Sequence, residues 1–202
     1  MNFEYDAIKL GAFDISALRH AVLALDEQAW LVDASRQKAF NAHNSTQTLK
    51  LIADSDFRHT NPTVHPAFAT FEPYIAPLID HIRGFYLQTL RQRRVAQQHG
   101  LGYIIRALLT RLPAHSEIKP HIDDGESLKR CHRIHVPVVS NADSLFTVGK
   151  LRFHMPEGEM WEINNRRVHA VDNQGSEARI HLIMDYVQPG ETVFDTDGTL
   201  TA

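Results

Sequence analysis

Four residues in one short stretch have the types and spacing that chemistry uses. In "PHIDDGESLKRCHRIHVPVV", from Pro120 to Val139, His121 and Asp123 stand two apart, and Arg133 and His135 repeat that spacing. Side chains two apart on a strand leave the same face. An imidazole and a carboxylate at His121 and Asp123 can therefore close on one metal ion from one side, just before the turn that Asp124-Gly125 marks. A second histidine would complete a two-His, one-carboxylate face with the remaining positions open. That arrangement suits non-haem Fe(II), which must also accept a co-substrate and dioxygen. A structural zinc site would instead close all four positions. The triplet alone carries little weight. With 13 His and 24 acids in 202 residues, one or two His-x-acid triplets arise by chance, and "HSE" at His115 is another. The downstream order adds the weight. "GEMWEINNRRVHAV" reads as a strand, a polar turn and a second strand opening on His169, the expected third ligand. His154, just before Pro156, and His181, inside an apolar strand, are the alternatives.

The triplet Arg-Ile-His occurs twice. Arg133 and His135 return as Arg179 and His181 in "ARIHLIMDYV", each time inside a β-branched, apolar run. A buried guanidinium is costly unless paired, and its planar fork matches a carboxylate in two parallel hydrogen bonds. With few acids on those strand faces, the two arginines call for an anion from outside the chain, and a small dicarboxylate fits. Its far carboxylate would rest on arginine, while the near carboxylate and an adjacent ketone oxygen reach the metal. The competing readings are an ion pair of Arg179 with Asp172 or Asp185, and an exposed edge at Arg133. His181 reads as core or wall. Asn164, Asn165 and Asn173 are candidates for orienting the histidines, Trp161 for core packing, and Arg106 for a substrate carboxylate clamp.

These residues need a scaffold, and the chain changes character at Gly100. Residues 1–100 read mainly as helical support. Leu18, Val22 and Leu25 recur at helical spacing behind an Asp14 or Ser16 cap, and Ile75, Ile79, Ile82 and Tyr86 form one stripe of the longest helix, with Pro77 in its first turn. "STQTLKLIADSD" is the exception and reads as a strand. Residues 101–189 hold about eight short β-rich segments at close spacing, which indicates a sandwich or barrel rather than βα units. Gly149-Lys150 reads as a two-residue hairpin turn. Residues 190–202 form a polar tail, extended or loosely packed. The expected architecture is one domain over 1–202, mainly β with a helical N-terminal half.

Composition narrows the function. Apolar residues at 43% and charged residues at 22% are ordinary for a globular chain. One cysteine, Cys131, excludes an intrachain disulfide and suits a cytoplasmic location. The start "MNFEYDAIKLGAFD" does not read as a signal peptide, and no apolar run approaches the roughly 20 residues of a membrane span. At a formal charge of −3, with "RQRR" at Arg91 to Arg94 as the one dense basic cluster, no nucleic-acid partner is expected.

From about Gly102 to Pro189 the chain resembles the aspartyl/asparaginyl β-hydroxylase family of Fe(II)- and 2-oxoglutarate-dependent oxygenases, which includes small bacterial hydroxylases of free amino acids. The matching text is "PHID", "RIHVPV", "PEGEMWEINNRRVHAVDN" and "RIHLIMDYVQP", in that order. The resemblance implies a double-stranded β-helix, a jelly roll of the cupin kind, backed by helices. It implies that His121, Asp123 and His169 bind iron, that Arg179 holds the 5-carboxylate of 2-oxoglutarate, and that Arg133 and His135 line the co-substrate pocket. Animal members lack the carboxylate ligand that Asp123 supplies here, and the stretch from Asp123 to Arg133 is a few residues longer than theirs. The implied reaction hydroxylates an unactivated C–H of an amino acid or of an aspartyl, asparaginyl or prolyl residue, with dioxygen consumed and 2-oxoglutarate decarboxylated to succinate. The substrate would be a small molecule or short peptide, carrier-bound forms included. Loops such as Thr60 to Thr70 would contribute contacts. Two other readings compete: a cupin-like metalloenzyme of another class without 2-oxoglutarate, and a non-catalytic metal- or ligand-binding barrel.

Overall fold

The computed structural model describes residues 4–31, 45–53, 61–123, 125, 127–191, 193–194 and 200–201. The described elements run β1 (Ala7–Ala12), α1 (Ser16–Leu23), α2 (Glu27–Leu31), β2 (Gln47–Ile52), α3 (Phe68–Phe85), α4 (Leu90–His99), β3 (Tyr103–Leu112), β4 (Ser116–His121), β5 (His132–Val139), β6 (Ser144–Val148), β7 (Leu151–His154), β8 (Glu159–Ile163), β9 (His169–Asn173), β10 (Arg179–Val187), β11 (Val193–Phe194) and β12 (Leu200–Thr201). Two antiparallel sheets make the jelly roll. One has six strands in the order β1-β8-β5-β10-β3-β2, and the other has four in the order β4-β9-β6-β7. The short β11 and β12 pair with each other in the tail.

Alternation along the central strands builds both cores. On β10, Ile180, Leu182, Met184 and Tyr186 face one way and join β5 residues Ile134, Val136 and Val138 under α1 and α3. The helices contribute Leu18, Val22, Phe71, Ile75, Leu78 and Ile82 to that layer. A smaller cluster, Leu112, Ile118, Phe146, Val148, Met155, Ile163 and Val171, draws on both sheets. Because helices cover one face and the second sheet the other, every residue of β5 and β10 is buried. That double cover is why arginine and histidine sit inside runs of apolar residues.

Three elements differ from the sequence reading. β1 was not foreseen: "AIKLGA" buries only Leu10 and carries a bulge between Lys9 and Gly11, so it lacks the alternation of a strong strand. The long helix begins earlier, at Phe68, with Pro73 and Pro77 both inside it. Both prolines lie on the exposed face, where water can satisfy the carbonyls that lose their N–H partners. The same helix stops at Phe85, and α4 restarts behind Thr89, whose hydroxyl and the Gln92 side chain form a reciprocal capping box. Val148 and Leu151 pair across the two-residue turn at Gly149, which has φ of 56° as the hairpin reading requires.

Candidate metal centre and anion pocket

The pairing of β4 with β9 builds the centre. His121, the last residue of β4, lies opposite His169, the first of β9, and their rings are 4.2 Å apart. Asp123 follows two residues past the strand end. Its backbone N–H donates to the Asn165 carbonyl, in the turn between β8 and β9, at 3.2 Å. One ligand atom from each of His121, Asp123 and His169 falls within 4.8 Å of the others. The His121 Nε2 is 3.9 Å from Asp123 Oδ1, and the His169 Nε2 is 3.5 Å from Asp123 Oδ2.

The imidazoles are oriented by main-chain carbonyls. His121 Nδ1 meets the Lys119 oxygen at 2.7 Å, and His169 Nδ1 meets the Arg167 oxygen at 3.0 Å. A carbonyl only accepts, so each Nδ1 carries the proton and each Nε2 keeps its lone pair for a metal. Burial pushes the His169 imidazole down to about 4, so it is neutral, as a ligand must be, at physiological pH. The asparagines expected to orient the histidines tie loops instead. Asn164 donates to the Tyr5 carbonyl, Asn165 to that of Leu128, and Asn173 to those of Pro113 and Glu177. His154 and His181 lie outside the three-residue group. His154 Nδ1 instead faces the Ser144 carbonyl at 3.3 Å.

The two Arg-Ile-His triplets lie on neighbouring strands that run in opposite directions. β5 and β10 are antiparallel, with Arg133 opposite Asp185, His135 opposite Ile183 and His181 opposite Pro137. The arginines therefore sit at opposite ends of the inner face, and the histidines meet between them, Nδ1 to Nδ1 at 3.4 Å. Arg133 is the correction. The expectation that it awaits an anion from outside the chain fails, because its Nε and Nη2 each lie 2.8 Å from an oxygen of Asp185 and its Nη1 donates to Asp123 Oδ2. Arg106, read as a substrate clamp, also donates to Asp185. Burial alone would raise the Asp185 carboxyl, but the two guanidiniums hold it well below its ordinary range.

Arg179 is different. It is 3% exposed, and among the described residues no carboxylate pairs with it; neither Asp172 nor Asp185 does. Its Nη2 donates to His181 Nδ1 at 2.7 Å, and its guanidinium carbon lies 5.9 Å from the centre of the Phe146 ring. Phe146 in turn stacks on the His169 ring at 6.2 Å, which places the cation across one phenyl ring from the metal group. Burial without a counter-ion lowers the guanidinium to about 9. Since Arg179 only donates, His181 Nδ1 accepts and its proton sits on Nε2. Among the described residues, the buried Nε2 atoms of His135 and His181 have no hydrogen-bond partner. Burial, then the charge of Arg179, keeps both rings neutral. Spacing alone had shown that His181 shares a face with Arg179. Its grip on the guanidinium required the structure. Trp161 packs on Phe153 at 4.8 Å, as a core residue does. Thr60 and residues 54–59 lie outside the described residues.

The model of the aspartyl/asparaginyl β-hydroxylase family matches residues 88–189, half of the chain. The chain belongs to that family. The matched region of this β-hydroxylase family member runs from α4 through β10 and so contains the whole metal group and both arginine strands. Among curated proteins none matches the sequence significantly. Among solved structures, a 2OG-Fe(II) oxygenase family oxidoreductase from Burkholderia pseudomallei superposes with a TM-score of 0.63 at 13% identity, over 91% of this chain and 85% of that one. A prolyl-4-hydroxylase from Pseudomonas putida gives 0.52 at 13% identity, over 93% and 95%. At such identity these likenesses establish the fold. The helices and strands of the first hundred residues therefore belong to the shared architecture as much as the barrel does.

Proposed function

We propose that this chain is an Fe(II)- and 2-oxoglutarate-dependent dioxygenase that hydroxylates an unactivated C–H bond of a free amino acid, or of an aspartyl, asparaginyl or prolyl residue in a short peptide. The observation that carries the reading is a buried arginine, paired with no carboxylate among the described residues, one ring away from a two-His, one-Asp group. The donor set fits iron: two imidazole Nε2 atoms with their lone pairs outward and one carboxylate. The pocket fits a dicarboxylate. Among the described residues no acid pairs with the Arg179 guanidinium and no group bonds the His181 Nε2–H, which is a further donor.

In this reading His121, Asp123 and His169 hold the metal from one side. Arg179 takes the far carboxylate of 2-oxoglutarate, and His135 lines the pocket between the two. When bound, the iron and co-substrate supply the oxidising chemistry, with dioxygen consumed and succinate and carbon dioxide released. The chain's own part is to hold three ligands on one side and to fix the diacid's far end. No described helix is long and apolar enough to cross a membrane, and we place the enzyme in the cytoplasm, acting on small molecules or short peptides, carrier-bound ones included.

The test is an anaerobic titration of the Fe(II)-loaded protein with 2-oxoglutarate. A visible charge-transfer band should appear, and candidate amino acids that bind should perturb it. Succinate formation should then require Fe(II), 2-oxoglutarate and one such substrate. His121→Ala should abolish metal binding; turnover at the wild-type rate in that variant would sink the proposal.

A further inference from the structure

We infer that Arg133 is a positioning residue for the metal-binding carboxylate: the chain Arg106–Asp185–Arg133–Asp123 fixes the orientation of the Asp123 side chain between the two histidines. The inference rests on the reading of His121, Asp123 and His169 as a metal site.

Three of the four members are neighbours by backbone register. Asp185 on β10 has Arg106 of β3 as its partner on one side and Arg133 of β5 on the other. Asp185 is fully buried, and Arg133 is 5% exposed. The Arg133 fork closes on both Asp185 oxygens at 2.8 Å, which locks the plane of the guanidinium. Its third nitrogen, Nη1, then donates to Asp123 Oδ2. Asp123 lacks such support from its own backbone. It lies past the end of β4, where its N–H donates to the Asn165 carbonyl and, among the described residues, no backbone N–H bonds its carboxylate. Arg133 supplies the missing restraint by holding one carboxylate oxygen.

The charges of the four side chains balance, two guanidiniums against two carboxylates, so this buried network needs no outside anion. Arg179 is the opposite case. The two Arg-Ile-His arginines therefore have separate jobs, one facing the metal ligand and one awaiting the diacid. The fork matters as much as the charge, because a lysine cannot grip Asp185 with two parallel bonds and reach Asp123 at the same time.

The experiment measures the metal alone. Co(II) is titrated into the apo protein without 2-oxoglutarate, following affinity and the visible ligand-field bands, for the wild type and for Arg133→Gln, Arg133→Lys, Asp185→Asn and His121→Ala, with circular dichroism to check folding. Arg133→Gln should weaken Co(II) binding about 10- to 100-fold, the usual range for residues that orient metal ligands, and should shift the bands. Arg133→Lys should not restore either. Asp185→Asn keeps Arg133 and removes its anchor, and should move both readouts in the same direction, so it carries the test if Arg133→Gln does not fold. Unchanged or tighter Co(II) binding in a folded Arg133→Gln overturns the inference. Full rescue by lysine overturns the fork. If His121→Ala binds Co(II) like the wild type, the metal reading is wrong and the inference falls with it.

Discussion

At the scale of single residues, the protein treats two buried arginines oppositely, and this decides what each substitution should do. Arg133 is satisfied by carboxylates within the chain, whereas among the described residues Arg179 meets a neutral imidazole and a phenyl ring but no carboxylate. Truncating one partner of a buried charge pair costs about 2–5 kcal/mol, and each 1.4 kcal/mol is about tenfold in affinity. Arg179→Gln should therefore weaken 2-oxoglutarate binding to the Fe(II) protein by at least about 30-fold, measured by the same anaerobic titration, while Co(II) affinity stays near the wild-type value. Arg179→Lys should recover part of the loss, since it restores charge but no fork. His181→Phe removes the acceptor that holds Nη2. A several-fold rise in the 2-oxoglutarate dissociation constant is expected there, and an unchanged constant would show that the imidazole does not steer the guanidinium.

At the scale of elements, the metal group depends on the four-stranded sheet. β6 lies beside β9 with Val148 opposite His169, and the next residue, Gly149, donates its N–H to the Val168 carbonyl. Gly149 has a positive φ, and a Cβ there would stand 2.3 Å from Asp6 Oδ1, which is ion-paired with Arg167. Gly149→Val adds both backbone strain and this clash. A loss of about 2–3 kcal/mol is predicted, seen as a lower melting temperature, together with weaker Co(II) binding because the strand carrying His169 moves. Loss of stability with unaltered metal affinity would show that the hairpin does not support the ligand. The hairpin was legible in the sequence because its two-residue turn is a local rule. So was the closeness of His121 and Asp123, from their spacing, although Asp123 lies past the end of β4 and not on its face; His169 was one of three candidates until the family resemblance singled it out. The partnership of Arg133 with Asp185 was not legible, because it depends on the register of two strands some fifty residues apart. Along the chain Asp185 stands much closer to the other arginine, Arg179. β1 escaped notice because an edge strand with one buried residue has almost no period, and the start of α3 was obscured by prolines that a solvent-facing position tolerates.

At the scale of the whole molecule, the helices and the barrel are joined through an apolar layer and through one buried polar cluster beneath α3. Tyr86, at the end of that helix, donates to Glu162 of β8, and Glu162 also bonds His132 Nδ1 at 2.5 Å. On its other side His132 faces Glu191, past the end of β10, at 3.3 Å. The cluster ties α3, β5, β8 and the segment after β10 at one point. Burial alone would lower the His132 imidazole, but the hydrogen bonds and charges of Glu162 and Glu191 outweigh it and raise the ring to about 9, against about 6.5 in an unfolded chain. A group that binds its proton more tightly when folded contributes its full stabilisation below about pH 6.5. It loses that contribution as the pH climbs through about 9. The most this linkage can supply is about 3 kcal/mol, which for a chain of this size corresponds to roughly 5–10 °C in melting temperature. The apo protein should therefore melt at lower temperature at pH 9.5 than at pH 6.5. His132→Gln should be less stable than the wild type at pH 6.5 and should close most of that gap by pH 9.5. Since the cluster faces the helices and the metal group faces the second sheet, Co(II) affinity measured at pH 7 should be the same in both proteins. Parallel melting curves, separated by a constant offset at every pH, would mean that the imidazole is held neutral and that the cluster acts by packing alone.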